Sequence, residues 1–166
     1  MLGTTAALFD SDADVRTGVA EGRISMEMNY YKMYSPVLGR DMECKVYGHK
    51  GRPVLFIPCQ DGRFYDFENF HMTKTWAPWI DSGQVIIFSI DTLDQETWSN
   101  QSGDPYWRIR RYEQWLDYIT DEMVPFMRSM VNERNGWSGY PGIMAAAWEP
   151  PMQRIFILEG RICLTG

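Results

Sequence analysis

The chain has 166 residues, of which 45% are apolar and 14% aromatic, and it carries a net charge of −6. That length and composition suffice for one domain with a core, and the negative charge argues against a nucleic-acid binder. No apolar run is long enough to span a bilayer, and the amino terminus has no charged-then-apolar leader pattern.

The three cysteines, Cys44, Cys59 and Cys163, are scattered and form no CxxC pair. Neither a zinc site nor a disulfide framework is expected from them. The expectation is a cytoplasmic protein without metal or cofactor.

Residues 1–28 are small, polar and acidic, and they read as a disordered extension. Translation starting at Met26 or Met28 is a second way to read that segment. From Asn29 the pattern changes. Tyr30 to Ser35 predicts a strand, Pro36 and Gly39 a turn, and Met42 to Tyr47 a second strand. Val54 to Ile57 and Val85 to Asp91 are short continuous apolar runs. Strands of a parallel sheet that are buried on both faces read this way. Phe67 to Ile80 can hold a helix between them, limited by Pro78, which makes a β-loop-α-β unit.

A longer helix is predicted from Asp104, a capping residue, with Pro105 in its first turn. Apolar residues recur at Ile109, Tyr112, Trp115 or Leu116, Ile119 and Met123, with Arg110, Arg111, Glu113 and Asp117 on the wet side. Pro125 should kink or end this helix, because it removes a backbone donor. Ile143 should begin the next strand.

The loop Pro58 to Phe70 leaves the carboxyl end of the first buried strand, where open α/β sheets bind ligands. It brings Gln60, Asp61 and Gly62 together, with their backbone N–H groups. In α/β-hydrolases this loop supplies one half of an oxyanion hole, a donor aimed at the developing negative oxygen. Its aromatics, Phe64 to Phe70, could instead anchor a surface loop or bind a partner. His49 in a polar turn and His71 after the aromatics have no serine at motif spacing. Both precede residue 136, which is the wrong order for a Ser-acid-His triad.

Gly136-Trp137-Ser138-Gly139-Tyr140 begins like the nucleophile turn Gly-x-Ser-x-Gly, but Tyr140 replaces the second glycine. The preceding residues are polar where an apolar strand is needed. Ser138 therefore reads as a loop serine. The tail from Met144 fits poorly with what precedes it, since Trp148-Glu149-Pro150-Pro151 breaks any helix. Read from the third base of the Met144 codon, the genetic code forces glycine over Met144-Ala145 and again over Trp148-Glu149. These two glycines bracket a position that permits serine, giving Gly-x-Ser-Met-Gly, and small residues suited to a helix can follow. Residues 144–166 are accordingly read as an out-of-frame tail, with a divergent carboxyl terminus as the alternative.

With that reading, the chain resembles the serine esterases of the α/β-hydrolase superfamily, in the branch that includes esterase D, feruloyl esterases and mycolyltransferases. The resemblance covers residues 29–143. It rests on "RPVLFIPCQDGRFYDFENF", "VIIFSIDTLDQETW" and "YWRIRRYEQWLDYITDEMVPFMR". It implies the N-terminal portion of an α/β-hydrolase fold, a mixed sheet with an antiparallel N-terminal pair and parallel central strands. It also implies a small-molecule acyl ester as the intact protein's substrate, hydrolysed or transferred through a Ser-His-acid set. Gln60, Asp61 and Gly62 would match the oxyanion-hole loop. No in-frame residue matches the nucleophile, acid or histidine, so a polypeptide without activity is expected. The sheet should then end at an unpaired edge near Ile143, open to self-association. A small non-catalytic binding module using the aromatic loop is the competing reading.

Overall fold

The computed structural model describes residues 26–136, 141–149 and 152–158. Residues 1–25 of the expected extension, the loop serine Ser138 and the last eight residues of the tail lie outside the described residues. Six strands form one mixed sheet in the order β1-β2-β4-β3-β5-β6. β1 (Met28–Ser35) and β2 (Arg40–Tyr47) form the expected antiparallel pair, and β2 runs antiparallel to β4 (Val85–Ile90). β3 (Arg52–Ile57) runs parallel to β4 on one side and to β5 (Gly142–Glu149) on the other.

The two apolar runs are buried on both faces, as their composition predicts. Leu55 of β3 and Ile86, Phe88 and Ile90 of β4 point to one face, where they pack with Trp115, Ile119, Met123, Met127 and Val131. Val54 and Phe56 of β3 and Ile87 of β4 point to the other, against Phe67, Met72 and Ile80. Helices α1 (Asp66–Asn69) and α2 (Met72–Asp81) therefore cover one face, and α3 (Pro105–Asp117) and α4 (Val124–Asn135) the other.

Two expectations about helices are corrected. The segment Phe67 to Ile80 holds two helices, because His71 adopts a left-handed φ of 56° between them. Pro78 lies inside α2 without ending it. The regular α-helix is interrupted ahead of Pro125, in line with the expected kink, but the helical run does not end there. A π turn over Tyr118–Met123 precedes Pro125 and leaves it in the first turn of α4, where a missing donor is tolerated. The start of α3 is as predicted: Asp104 accepts the Trp107 N–H at 2.8 Å, and Pro105 occupies the first turn.

The wet and dry sides of α3 also differ from expectation. Ile109 is exposed, and Arg111 turns inward to pair with Glu96 at 2.8 Å. The first turns of α3 face the irregular segment after β4, whose free carbonyls and carboxylate attract guanidinium groups rather than apolar side chains. Arg108 likewise donates to the Thr97 carbonyl at 2.7 Å.

The sheet edge expected near Ile143 is not open. β5 continues to Glu149 and pairs antiparallel with β6 (Met152–Leu158), in register from Ile143↔Leu158 to Glu149↔Met152. β1 and β6 are then the outer strands.

Phe67 is fully buried, with its ring centroid 5.0 Å from Tyr47 and 5.2 Å from Phe56. Phe67→Ala should destabilise the chain by about 3–5 kcal/mol, read from the shift in denaturant midpoint. A loss below about 1 kcal/mol would mean that α1 does not seal this face.

Candidate functional site

β3 ends at Ile57, and Pro58 withdraws the chain from the ladder because it has no N–H to pair. The next residues turn tightly. The Gly62 N–H donates to the Cys59 carbonyl at 2.8 Å, and Asp61 sits at a left-handed φ of 59°. Asp is among the few side chains that tolerate that region. Gly62 is required for a different reason, which is space. A Cβ there would stand 2.6 Å from the Cys59 carbonyl oxygen and 2.6 Å from Pro58 Cβ.

This loop is clasped by the segment that leaves β4. The Asp91 Oδ1 accepts the Phe64 N–H at 2.9 Å and Arg63 Nε at 2.8 Å. The Thr92 hydroxyl donates to the Gly62 carbonyl at 3.1 Å. Asp94 Oδ2 accepts the Asp61 N–H at 3.0 Å, and Gln60 Nε2 donates to Ser99 Oγ at 2.8 Å. Both segments belong to the carboxyl ends of adjacent parallel strands, so the sheet brings them together.

Of the three expected oxyanion donors, the structure leaves one available. The Asp61 N–H is engaged by Asp94 and the Gly62 N–H by Cys59. Among the described residues, the Gln60 N–H has no acceptor.

Charge at this end of the sheet is paired rather than free. Arg63 bridges Asp91 and Glu43, and its guanidinium carbon lies 5.5 Å from the Phe64 ring centroid. Glu43 in turn accepts the Tyr30 hydroxyl at 2.5 Å. Arg40 and Arg111 both pair with Glu96. Arg40, Glu43, Arg63, Asp91 and Glu96 line a cleft of about 380 Å³ between β2, the loop and the β4 exit. Burial pushes the Asp91 carboxyl above its ordinary range, while Arg63 and the Phe64 N–H partly hold it back. Tyr30 is pushed up to about 12, first by its hydrogen bond to Glu43 and then by burial.

The histidines do not join the site. His49 lies in the turn before β3, at the opposite end of the sheet from Gln60. His71 is exposed between α1 and α2. No hydrogen bond joins either imidazole to a serine among the described residues. The aromatic loop also turns inward. Phe64 and Phe67 are buried, and Tyr65 is the member exposed by more than a third. That weakens the case for the loop as a docking surface. No cluster of three or more potential metal ligands occurs among the described residues. None of their helices is long and apolar enough to cross a membrane. Sequence reading missed Asp91, Thr92, Asp94 and Ser99. The only signal it offered was a polar stretch directly after a buried strand.

Two predictions follow from this geometry. Gly62→Ala should cost about 1–3 kcal/mol of stability in denaturant titration, because the added methyl group meets backbone rather than a flexible side-chain end. Glu43→Gln should bring the Tyr30 phenol back down towards 10, followed by NMR of its ring protons. A raised phenol favours the folded state while neutral. That contribution is complete below pH 10 and is lost as pH rises towards about 12.

No protein-family profile matches the chain, and no curated protein does. Solved structures do. A ferulic acid esterase of the anaerobic fungus Anaeromyces mucronatus superposes with a TM-score of 0.52 at 14% identity, covering 86% of this chain and 57% of its own. Another ferulic acid esterase gives 0.49 at 19% identity, covering 72% of this chain and 48% of its own. An S-formylglutathione hydrolase of Agrobacterium tumefaciens gives 0.49 at 12% identity, covering 74% and 48%. The chain spans about half the length of these proteins. Its mixed sheet, with an antiparallel first pair and parallel central strands between two helical layers, has the α/β-hydrolase fold and makes up part of it.

Proposed function

We propose that this chain is part of a carboxylic-ester hydrolase or acyltransferase, and that it does not act on esters as translated. The observation that carries the reading is the unengaged Gln60 N–H at the carboxyl end of β3, beside the point where β5 emerges. β5 pairs with β3 up to Ile57↔Ala145. Ala146 and Ala147 follow directly, and the shifted reading frame permits serine across their two codons. A serine hydroxyl there would stand next to the loop that offers an oxyanion donor, which is the juxtaposition acyl transfer needs. The in-frame residues are alanines, which have no nucleophile.

The fold likeness to a fungal ferulic acid esterase supports a small-molecule ester as the substrate of the intact protein. The shifted frame also explains the helix-breaking residues Pro150 and Pro151 where a nucleophile turn would lead into a helix. The missing histidine and acid would belong to chain encoded beyond the slip. The net charge of −6 fits a protein that does not bind nucleic acid. The free thiols of Cys44 and Cys59 fit a reducing cytoplasm.

The chain as given should show no labelling by a fluorophosphonate and no release of p-nitrophenol from short-chain esters. The same gene with its frame restored after the Met144 codon should label and turn over. Labelling of the present chain, abolished by Ser138→Ala, would sink the reading. So would a gene with no long open stretch in the alternative frame.

A further inference from the structure

We infer that Asp94 is a positioning residue for the candidate oxyanion loop: its carboxylate binds the Asp61 N–H, fixes Asp61 in its left-handed conformation, and thereby leaves the Gln60 N–H as the donor that faces a ligand. The inference rests on the esterase reading only for what the donor does. The assignment of Asp94 rests on contacts alone.

Three observations carry it. Asp61 is one of two non-glycine residues with positive φ among the described residues, a conformation that costs of order 1 kcal/mol and persists only where its surroundings impose it. The surroundings here are a charge-assisted hydrogen bond of 3.0 Å from the Asp61 N–H to Asp94 Oδ2. Asp94 is itself held, because its carbonyl accepts the Ser99 N–H at 2.8 Å, and the Ser99 hydroxyl accepts the Gln60 side chain at 2.8 Å. The side chain of residue 60 and the N–H of residue 61 are thus both turned towards the segment 94–99. Gly62 folds back on Cys59, so the remaining N–H of the trio belongs to Gln60.

Burial supports the arrangement. It pushes the Asp94 carboxyl above its ordinary range, and the Asp61 N–H holds it partly back. The Thr92 side chain also holds it back by a hydrogen bond, and the Asp61 carboxylate pushes it up. The hydrogen bond to the Asp61 N–H therefore stabilises a carboxylate that its surroundings disfavour.

The test is amide hydrogen exchange resolved by residue on the full chain, which needs no catalytic activity. In the unsubstituted chain the Asp61 amide should exchange at least about tenfold more slowly than the Gln60 amide, once both are corrected for intrinsic rates. Asp94→Ala should remove that difference while the Ile87 and Phe88 amides stay within about twofold. Asp94→Asn keeps an acceptor and should retain part of the protection. An Asp61 amide as fast as that of Gln60 in the unsubstituted chain would overturn the inference, whether or not the alanine variant folds. So would protection unchanged by Asp94→Ala. Neither result touches the esterase reading, which stands or falls on labelling of the frame-restored protein.

Discussion

β3 is the constraint on which the rest depends. It is six residues long, hydrogen-bonded on both sides and covered on both faces. A strand so placed can carry only apolar side chains in its middle, because no water reaches their polar alternatives. Leu55 then recruits the layer of α3 and α4, while Val54 and Phe56 recruit α1 and α2. The chain must leave such a strand abruptly, and Pro58 with the tight turn at Gly62 achieves this. The candidate site is the consequence: a short stretch of backbone released from the ladder beside the exits of its parallel neighbours.

What keeps that stretch from collapsing onto itself is a set of carboxylates on the β4 side. Asp91 and Asp94 accept backbone N–H groups from the loop, and Arg63 ties Asp91 to Glu43 across the cleft. Arg63 is partly exposed, and ion pairs of that kind contribute little to stability in water. Their weight here is geometric. Each bond fixes one peptide plane, and together they determine which N–H groups are engaged. Donors fixed in this way are preorganised, with no rearrangement of the loop needed to present them.

The carboxyl-terminal hairpin bears on the same site from the other side. β5 joins β3 in parallel and then continues past it, paired with β6, up to Glu149. An α/β-hydrolase elbow requires the chain to leave the sheet sharply at that point and enter a helix. Three consecutive alanines followed by Trp148 and Glu149 give no reason for a strained turn, and the prolines after them forbid a helix. With no turn encoded, the strand extends to Glu149. The hairpin also closes the edge that a bare β5 would leave, which moves the exposed edge out to β6.

The amino-acid sequence by itself determined the elements whose signal is local. The apolar runs at Val54 and Val85, the Asp104-Pro105 helix start and the antiparallel first pair all follow from periodicity and capping, which act within a few residues. The loop at Gln60 to Gly62 was legible too, because its place after a buried strand follows from that strand. Tertiary structure alone decided the rest. That Ile109 faces solvent while Arg111 turns inward, half-buried, depends on what α3 packs against. That Pro125 leaves the helix running depends on a π turn. That Gln60, rather than Asp61, has the unengaged N–H depends on Asp94, which lies 33 residues further along the chain. The physical reason is the same in each case. Local propensity speaks for the free energy of a segment alone, whereas a hydrogen-bond donor is engaged or open according to what a distant segment brings to it.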